Sequence, residues 1–224
     1  HASFRDGQEE VITSILSDRS ALAVFPTGGG KSLCYQLPAL LFDGLTLVVS
    51  PLIALMKDQV DSLVAKGIPA ARLDSTLSAD ETRKLYQKLE KKKIRILYVA
   101  PERLANENFR ALLTKTPLAL LAIDEAHCIS EWGHNFRPDY LKLTRFSDEL
   151  NIPRVLCLTA TATPKVANDI CRHFQIQPQD HHQLTFYRAN LDLVVTPIAT
   201  HDRREHLLKQ IQKSPIQPTI IYTT

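Results

Sequence analysis

The stretch that most constrains the fold is Pro26-Thr27-Gly28-Gly29-Gly30-Lys31-Ser32, which lies between a predicted strand and a predicted helix. Residues 21–25 form a short apolar run, which predicts a buried strand. Residues 33–42 are predicted to form a helix. Consecutive glycines at such a turn permit backbone angles that side chains forbid, and they let N–H groups approach an anion. The sequence therefore predicts an anion-binding turn between a strand and a helix.

The residue types in this turn fit a site for the phosphates of a nucleotide. Thr27 and the glycines Gly28, Gly29 and Gly30 would present backbone N–H groups, and the helix N-terminus adds its own unpaired donors. Lys31 would reach the β- and γ-phosphates, and the Ser32 hydroxyl would hold Mg²⁺. The alternative is a flexible glycine-rich turn beside a solvated lysine. The register of strand, glycines, Lys-Ser and helix disfavours that alternative.

The composition limits the class of protein without fixing its function. With 224 residues, 44% of them hydrophobic, the chain suffices for one large domain, or for one domain and part of another. The net charge of +3 is compatible with nucleic acid but does not argue for it. The basic run Lys91-Lys92-Lys93 closes a predicted helix, so we expect it to be solvated. No apolar run reaches spanning length and no signal peptide is visible, so no membrane partner is expected.

The cysteines predict a redox compartment, and the C-terminal end predicts that the chain is a fragment. Cys34, Cys128, Cys157 and Cys171 are widely spaced, without a pattern for zinc, and are expected to be buried free thiols in a reducing compartment. The chain ends at Thr224 within an apolar run, so it is expected to be a fragment.

Short apolar segments alternate with helical patterns along most of the chain. Strands are predicted at residues 21–25, 45–50, 70–73, 94–100, 118–123, 155–159 and 219–222. Helices are predicted at residues 4–17, 33–42, 52–66, 78–91, 106–113, 139–150, 164–174 and 202–213. Apolar strands separated by helices indicate an α/β fold, a mostly parallel sheet covered by helices on both faces. Residues 177–182 are predicted to be a linker, so we expect one domain over residues 1–180 and the beginning of a second over residues 181–224.

A second chemical element, Asp124-Glu125-Ala126-His127, directly follows the predicted strand Leu118–Ile123. Parallel sheets bind ligands at the carboxyl ends of their strands, so we expect these acids to meet the glycine-rich turn at one edge. Asp124 is predicted to hold Mg²⁺ through water, and Glu125 to act as the general base that polarises the attacking water. Adjacent acids are common by chance. Here, however, the two acids follow a strand and lie downstream of a phosphate-binding turn, and this combination is a specific signal for an ATPase site.

The order of five segments resembles the first motor domain of RecQ-family DNA helicases. The resemblance extends from residue 1 to about residue 175, and the segment after Asp-Glu-Ala-His is its most specific part. Phe25, where the strict phosphate-loop pattern has glycine, is usual in helicase-like ATPases. The segments are Phe4-Arg5-Asp6-Gly7-Gln8, residues 27–32, residues 50–60, residues 124–140 and residues 158–163.

The resemblance implies a RecA-like fold, ATP and Mg²⁺ as cofactors, and roles for particular residues. Phe4, Arg5 and Gln8 match the motif that reads adenine, and His1 takes the place of the residue that stacks on the base. Lys31, Asp124, Glu125 and His127 are its catalytic residues, with Ser32 and Asp124 at the metal.

The same resemblance implies single-stranded and branched DNA as partners. Residues 50–60 are similar to the motif that lines the DNA track, and they include Ser50 and the candidate phosphate contact Lys57. An aromatic-rich loop that senses DNA and couples it to hydrolysis would contain Trp132, His134, Phe136 and Arg137. Thr159 and Thr161 belong to a segment that links the ATP site to a second RecA-like domain of the same chain. That domain would begin near Asn190 and residues 219–222, and its arginine finger would lie beyond residue 224.

Simpler interpretations of several residues stay open at this point. Trp132 and Phe136 could be core residues and His134 a surface histidine, although their interleaving with polar residues favours an exposed loop. For Lys57, a solvated helix position is nearly as plausible as a DNA contact.

The leading hypothesis is the ATP-binding motor domain of a RecQ-type helicase that moves 3′ to 5′ on DNA. The alternatives are an ATPase of the Asp-Glu-Ala-His type that acts on RNA, and a nucleotide-gated DNA-binding scaffold without turnover. The expected location is the nucleus for a eukaryotic source and the cytoplasm, at the nucleoid, for a bacterial one.

Overall fold

The computed structural model describes residues 3–133, 135–185, 191–213 and 218–222. The chain divides into two compact units, His1–Phe186 and Tyr187–Thr224. Three positions that the sequence singled out, His1, His134 and Asn190, lie outside the described residues.

The first unit is built on a sheet of seven strands. In chain order they are β1 (Ala21–Val24), β2 (Leu45–Val49), β3 (Ala70–Leu73), β4 (Ile96–Val99), β5 (Leu118–Ile123), β6 (Val155–Thr159) and β7 (His181–Gln183). All neighbouring strands run parallel, in the spatial order β3-β4-β2-β5-β6-β1-β7. Strands β1, β2, β4 and β6 are buried along their whole length, as their uninterrupted apolar sequences predict. The predicted α/β fold with a parallel sheet is confirmed.

Helices cover both faces of this sheet. They are α1 (Gln8–Leu16), α2 (Leu33–Leu41), α3 (Ile53–Ala65), α4 (Ala79–Glu90), α5 (Glu107–Leu113), α6 (Pro138–Glu149) and α7 (Pro164–His173). Alternate residues of a strand face opposite sides, so the sheet builds two hydrophobic cores. One core joins α1, α2 and α3 to the sheet through residues such as Val11, Tyr35 and Met56. The other joins α4 to α7 through residues such as Phe109 and Ile170.

The first helix begins later than its sequence predicts. We expected a helix over residues 4–17, but α1 starts at Gln8 because Gly7 adopts a left-handed conformation with φ of 76°. A right-handed helix cannot continue through that conformation. Phe4 and Arg5 therefore lie in a non-helical segment that precedes α1.

The predicted linker over residues 177–182 is wrong in part. Pro178–Asp180 forms a 3₁₀ turn, and β7 then pairs with β1 at the edge of the sheet. The buried Asp180 accepts a hydrogen bond from Arg19 Nε at 2.9 Å, which ties this turn to the segment that precedes β1. The sequence pattern did not predict β7, because an edge strand with half-exposed side chains does not need to be apolar.

The predicted strand at residues 219–222 is also wrong, since the described residues 218–222 have no regular structure. The sheet formed by the described residues does not include this segment, so its β-prone composition alone does not make it a strand. The predicted helix over residues 202–213 is present as α8 (Arg203–Lys213).

The structure bears on two predictions made from the composition, the burial of the cysteines and the lack of a membrane-spanning segment. Cys34, Cys128 and Cys157 are buried free thiols, whereas Cys171 is only half-buried. Within the described ranges, no helix combines the length and apolarity that crossing a membrane requires.

Candidate active site

The glycine-rich turn follows β1 and leads into α2, as predicted. Gly28 and Gly30 adopt left-handed conformations, with φ of 80° and 79°. At Gly30 the neighbours also exclude a side chain, because an added Cβ would lie 2.3 Å from the Gln8 amide nitrogen. Glycine is therefore required here by the backbone conformation and by a close approach.

Arg5 and Gln8 hold this turn from outside. Gln8 is only 3% exposed; its Nε2 donates to Gly30 O at 3.0 Å, and its Oε1 accepts from Arg5 N at 2.9 Å. The Arg5 guanidinium donates to Gly28 O. The residues predicted to read adenine thus fix the turn as well, a role that the sequence did not reveal. Phe4, the third member of that motif, is 43% exposed.

Lys31 is folded into the turn. Its Nζ donates to Phe25 O at 3.0 Å and lies 3.4 Å from Pro26 O. Burial lowers the pKa of Lys31, while Asp124 and Glu125 oppose that shift. The ammonium is therefore positioned by backbone carbonyls and lies within the field of the acidic pair.

A cavity of about 250 Å³ brings the predicted phosphate and metal residues together. The turn and the carboxyl edge of the sheet both contribute to its wall. The members of that wall are Gly28, Gly30, Lys31, Ser32, Tyr35, Ser50, Leu55, Met56, Gln59, Tyr98 and Asp124.

The position of Ser50 corrects one prediction. Its side chain was expected to line the DNA track, but Ser50 is 2% exposed and its hydroxyl donates to Asp124 Oδ2 at 3.2 Å. A DNA strand has no access to a buried hydroxyl, so Ser50 positions the acidic pair instead. It follows β2, which lies beside β5, and its neighbour Asp124 follows β5.

The acidic pair occupies the end of β5, as predicted. Asp124 Oδ1 accepts from Glu125 N at 3.0 Å, and the buried Tyr140 hydroxyl donates to Asp124 O at 3.2 Å. Burial, and then the neighbouring Glu125, raise the pKa of Asp124. Glu125 adopts a left-handed conformation with φ of 52°, a strained backbone for a residue other than glycine.

His127 connects the acidic pair to the end of β6. It is 6% exposed, and its Nδ1 lies 2.9 Å from Thr159 Oγ1 and 3.2 Å from Glu125 Oε2. The Thr159 hydroxyl donates to Thr161 O at 3.0 Å and accepts from Thr161 N at 3.1 Å, so toward His127 it can only accept. Nδ1 therefore carries the proton, and Thr159 and Glu125 share it.

The predicted aromatic loop begins directly after His127 and is held by α7. Ser130 Oγ donates to Asp169 Oδ2 at 2.8 Å and accepts from Trp132 N at 3.2 Å. Trp132 is 64% exposed and Phe136 is 36% exposed, so the core interpretation of Trp132 is wrong. Arg137 is exposed at the N-terminus of α6.

Gly133 packs the loop against the acidic segment. A Cβ added there would lie 2.6 Å from His127 O and 3.1 Å from Ser130 O. The loop backbone at Gly133, the residue after Trp132, therefore lies directly against the backbone of His127. Thr161 is exposed and shares a cavity wall with Trp132. Lys57 lies apart from this loop in the sequence, exposed on α3.

A model of the DEAD/DEAH box helicase family matches residues 5–170 of the chain. The chain belongs to this family. ATP-dependent DNA helicase RecQ of Bacillus subtilis (strain 168) is 43% identical over 225 residues, which cover 100% of this chain and 38% of that protein. RecQ of Haemophilus influenzae is 46% identical over 191 residues, 85% of this chain and 31% of that protein. The chain therefore spans about a third of the length of these relatives.

The solved helicase domain of Pyrococcus furiosus Hef has a TM-score of 0.63 to this chain at 20% identity. The match covers 84% of this chain and 39% of that one. At this identity the likeness shows that the two chains share a fold.

Sequence reasoning missed one group of polar residues in this helicase domain. The hydroxyls of Tyr35 and Tyr98 lie 3.2 Å apart, and Gln36 Nε2 donates to Gln59 Oε1 at 2.8 Å and to the Tyr98 hydroxyl at 3.3 Å. Burial raises the pKa of both tyrosines. Tyr35 and Tyr98 lie in apolar segments and resemble core residues in sequence, so only their mutual contact reveals them.

The ionisation of His127 leads to a pH-dependent stability. Side-chain hydrogen bonds with Cys128 and Glu125 raise its pKa from 6.5 to about 9. A raised pKa means that protonation stabilises the fold, fully below pH 6.5 and not at all above about pH 9. Urea unfolding should therefore show the wild type losing stability relative to His127→Gln as the pH rises from 6.5 to about 9. A difference that stays constant with pH would contradict this assignment.

The close approach at Gly133 predicts a displaced loop in Gly133→Ala. Because both obstructing atoms are backbone oxygens, the loop must shift, at a cost of about 1–3 kcal/mol. The chain contains one tryptophan, so a shift of Trp132 should change the intrinsic fluorescence. Gly67→Ala is the matched control, since Gly67 has φ of 74° but no atom near an added Cβ. It should lower stability and leave the emission unchanged. An unaltered emission of Gly133→Ala would show that the loop accommodates the methyl group.

Proposed function

We propose that this chain is the N-terminal ATP-binding motor domain of a RecQ-type DNA helicase, which couples ATP hydrolysis to 3′-to-5′ movement on single-stranded DNA and to duplex unwinding. One observation carries the proposal. Lys31, Ser32 and Asp124 line one cavity at the carboxyl edge of the sheet, and the exposed loop with Trp132 starts directly beside it. The similarity to the two bacterial RecQ proteins supports DNA as the substrate.

The residues of the cavity fit ATP together with Mg²⁺. Ser32 and Asp124 offer a hydroxyl and a carboxylate oxygen, the ligand type that Mg²⁺ prefers, and a bound Mg²⁺ would neutralise phosphate charge. Lys31 would leave the carbonyls of Phe25 and Pro26 and pair with the β- and γ-phosphates. Arg5 and Gln8 would orient the adenine, in addition to holding the turn.

Glu125 is the general base of this proposal. It would accept a proton from the attacking water, which requires a carboxylate that stays ionised beside Asp124. His127 Nδ1 lies 3.2 Å from Glu125 Oε2 and holds that carboxylate in place. An arginine from a second RecA-like domain would complete the charge stabilisation, and its loss elsewhere costs on the order of 10³–10⁵ in rate. This domain alone should therefore hydrolyse ATP very slowly.

DNA would be sensed at the aromatic loop. Trp132 and Phe136 offer exposed ring faces, and Arg137 and Lys57 offer exposed cations. Base stacking on an aromatic ring contributes about 1–3 kcal/mol per base and tolerates any sequence, as a motor requires. Such an energy suffices to shift a loop between two arrangements. Gly133 would transmit the shift to His127 by direct backbone contact.

Substitution of Trp132 in the full-length protein tests this function. Because the side chain is 64% exposed, Trp132→Ala should lower stability by no more than about 1 kcal/mol. It should keep ATP affinity, lose most of the stimulation of ATPase by single-stranded DNA, and stop unwinding. The measurements are the melting temperature, ATP affinity, and ATPase with and without a dT oligonucleotide.

Lys31→Ala is the matched control, because it should abolish turnover both with and without DNA. A Trp132→Ala protein that is destabilised, with all activities reduced in proportion, would contradict the sensing role. Near-normal hydrolysis by folded Lys31→Ala would contradict the ATP site.

A further inference from the structure

Helix α7 touches the aromatic loop at two points. Lys165 and Asp169 are four residues apart and therefore lie on the same face of the helix. Asp169 Oδ2 accepts from Ser130 Oγ at 2.8 Å, at the start of the loop. Lys165 Nζ lies 2.9 Å from the centroid of the Trp132 ring. The helix thus fixes the base of the loop and places a cation on its exposed indole.

The Lys165 ammonium has the indole as its partner. Among the described residues, no carboxylate forms an ion pair with Lys165, although Asp169 and Arg172 pair elsewhere on the same helix. A lysine over a tryptophan face is the favourable geometry for a cation–π contact. One face of Trp132 is therefore already occupied in the protein without DNA.

The position of α7 connects this contact to the ATP site. Thr163 caps the helix, accepting from Val166 N at 3.3 Å, and the segment Thr159–Thr161 that contacts His127 lies just before it. A cavity of about 380 Å³ lies between the loop and this helix start, lined by His127, Trp132, Gly133, Thr161 and Val166 among others. Trp132 forms part of the wall of this cavity, and a nucleotide base that stacks on the ring face covered by Lys165 has to displace the ammonium.

The magnitudes decide which partner occupies the ring when DNA is present. A cation–π contact at an exposed site corresponds to roughly a two- to fivefold effect on an equilibrium. Stacking of one base corresponds to on the order of 5- to 150-fold. A base therefore outcompetes the ammonium, but it binds more weakly than it would on an uncovered ring.

We propose that Lys165 occupies the stacking face of Trp132 in the absence of DNA and must be displaced before a base can stack there. Lys165 is in this sense a positioning residue that sets how much single-stranded DNA is needed to engage the loop. This inference rests on the proposed function, because it requires that DNA stacks on Trp132.

The first test examines the contact without DNA, in the chain with its single tryptophan. Acrylamide should quench Trp132 fluorescence more strongly in Lys165→Ala than in the wild type, because one ring face becomes open. Lys165→Arg should restore protection, since a guanidinium also stacks on indole. An equal quenching constant in wild type and Lys165→Ala overturns the inference.

The second test measures the displacement in the full-length protein. The concentration of a dT oligonucleotide that gives half-maximal ATPase stimulation should fall two- to fivefold in Lys165→Ala, about 0.4–1 kcal/mol at 1.36 kcal/mol per tenfold. It should not fall in Lys165→Arg. Lys115→Ala is the control for lost charge, because Lys115 is exposed before β5, at the opposite edge of the sheet. It should cause no decrease.

Each other outcome has a definite meaning. A concentration that rises in Lys165→Ala, with a shallower salt dependence, would make Lys165 a phosphate contact and overturn the inference. An unchanged concentration would mean that bases do not use the covered face, which also overturns it. Absence of stimulation in the wild type contradicts the proposed function together with the displacement. If DNA stimulates the wild type normally but Lys165→Ala does not show the lower half-maximal concentration, the result contradicts the inference and leaves the proposed function intact.

Discussion

The hydrogen bond between His127 Nδ1 and Thr159 Oγ1 connects the ends of two neighbouring strands, and the arrangement of the candidate site depends on it. His127 follows β5 and Thr159 ends β6, while Thr159 O also accepts from Phe25 N at 3.1 Å, directly before the glycine-rich turn. One buried threonine thus contacts both the acidic segment and the segment that leads into the glycine-rich turn. A change in any one of these segments alters the hydrogen bonds of the others.

The strand order explains why a single residue can have this position. In the sheet, β6 lies between β5 and β1, so its carboxyl end separates the acids from the glycine-rich turn. A parallel sheet brings all these ends to the same edge. The aromatic loop adds a fourth group at this edge, because Gly133 packs on His127 O and Asp169 anchors Ser130. Helix α7 follows Thr159–Thr161 and contacts the aromatic loop through Asp169. Its position therefore affects both the loop and the candidate ATP site.

The sequence predicted the parts of this site that depend on local pattern. Lys31, Ser32, Asp124 and Glu125 follow apolar strands, and the edge rule for parallel sheets then brings them together. Predictions failed where a residue's role depends on a distant partner. Ser50 appeared to be an exposed track residue because its burial against Asp124 involves a residue far along the chain. Lys165 carried no signal at all, since only the fold places it over Trp132.

The difference between local pattern and distant partners also explains which predicted helices and strands were wrong. Uninterrupted apolar strands were predicted almost to the residue, whereas β7 was mistaken for a linker because its pairing with β1 needs no apolar sequence. Residues 219–222 have the composition of a strand, yet the sheet in the part of the chain that the structure describes does not include them. The start of α1 was misplaced because the conformation of Gly7 is not determined by helical periodicity. Local pattern predicts elements, and pairing decides which of them form.

The central claim is that Thr159 connects the candidate ATP site to the aromatic loop that we propose senses DNA. The most direct measurement is the ATPase of Thr159→Val in the full-length helicase, with and without single-stranded DNA, because valine keeps the shape and removes only the hydroxyl. We expect ATP binding to persist and stimulation by DNA to fall by at least about fivefold, since loss of a buried hydrogen bond costs about 1–3 kcal/mol and leaves Glu125 as the acceptor for His127 Nδ1. Thr159→Ser, which keeps the hydroxyl, should retain most of the stimulation. Normal DNA-stimulated turnover in Thr159→Val would contradict the account.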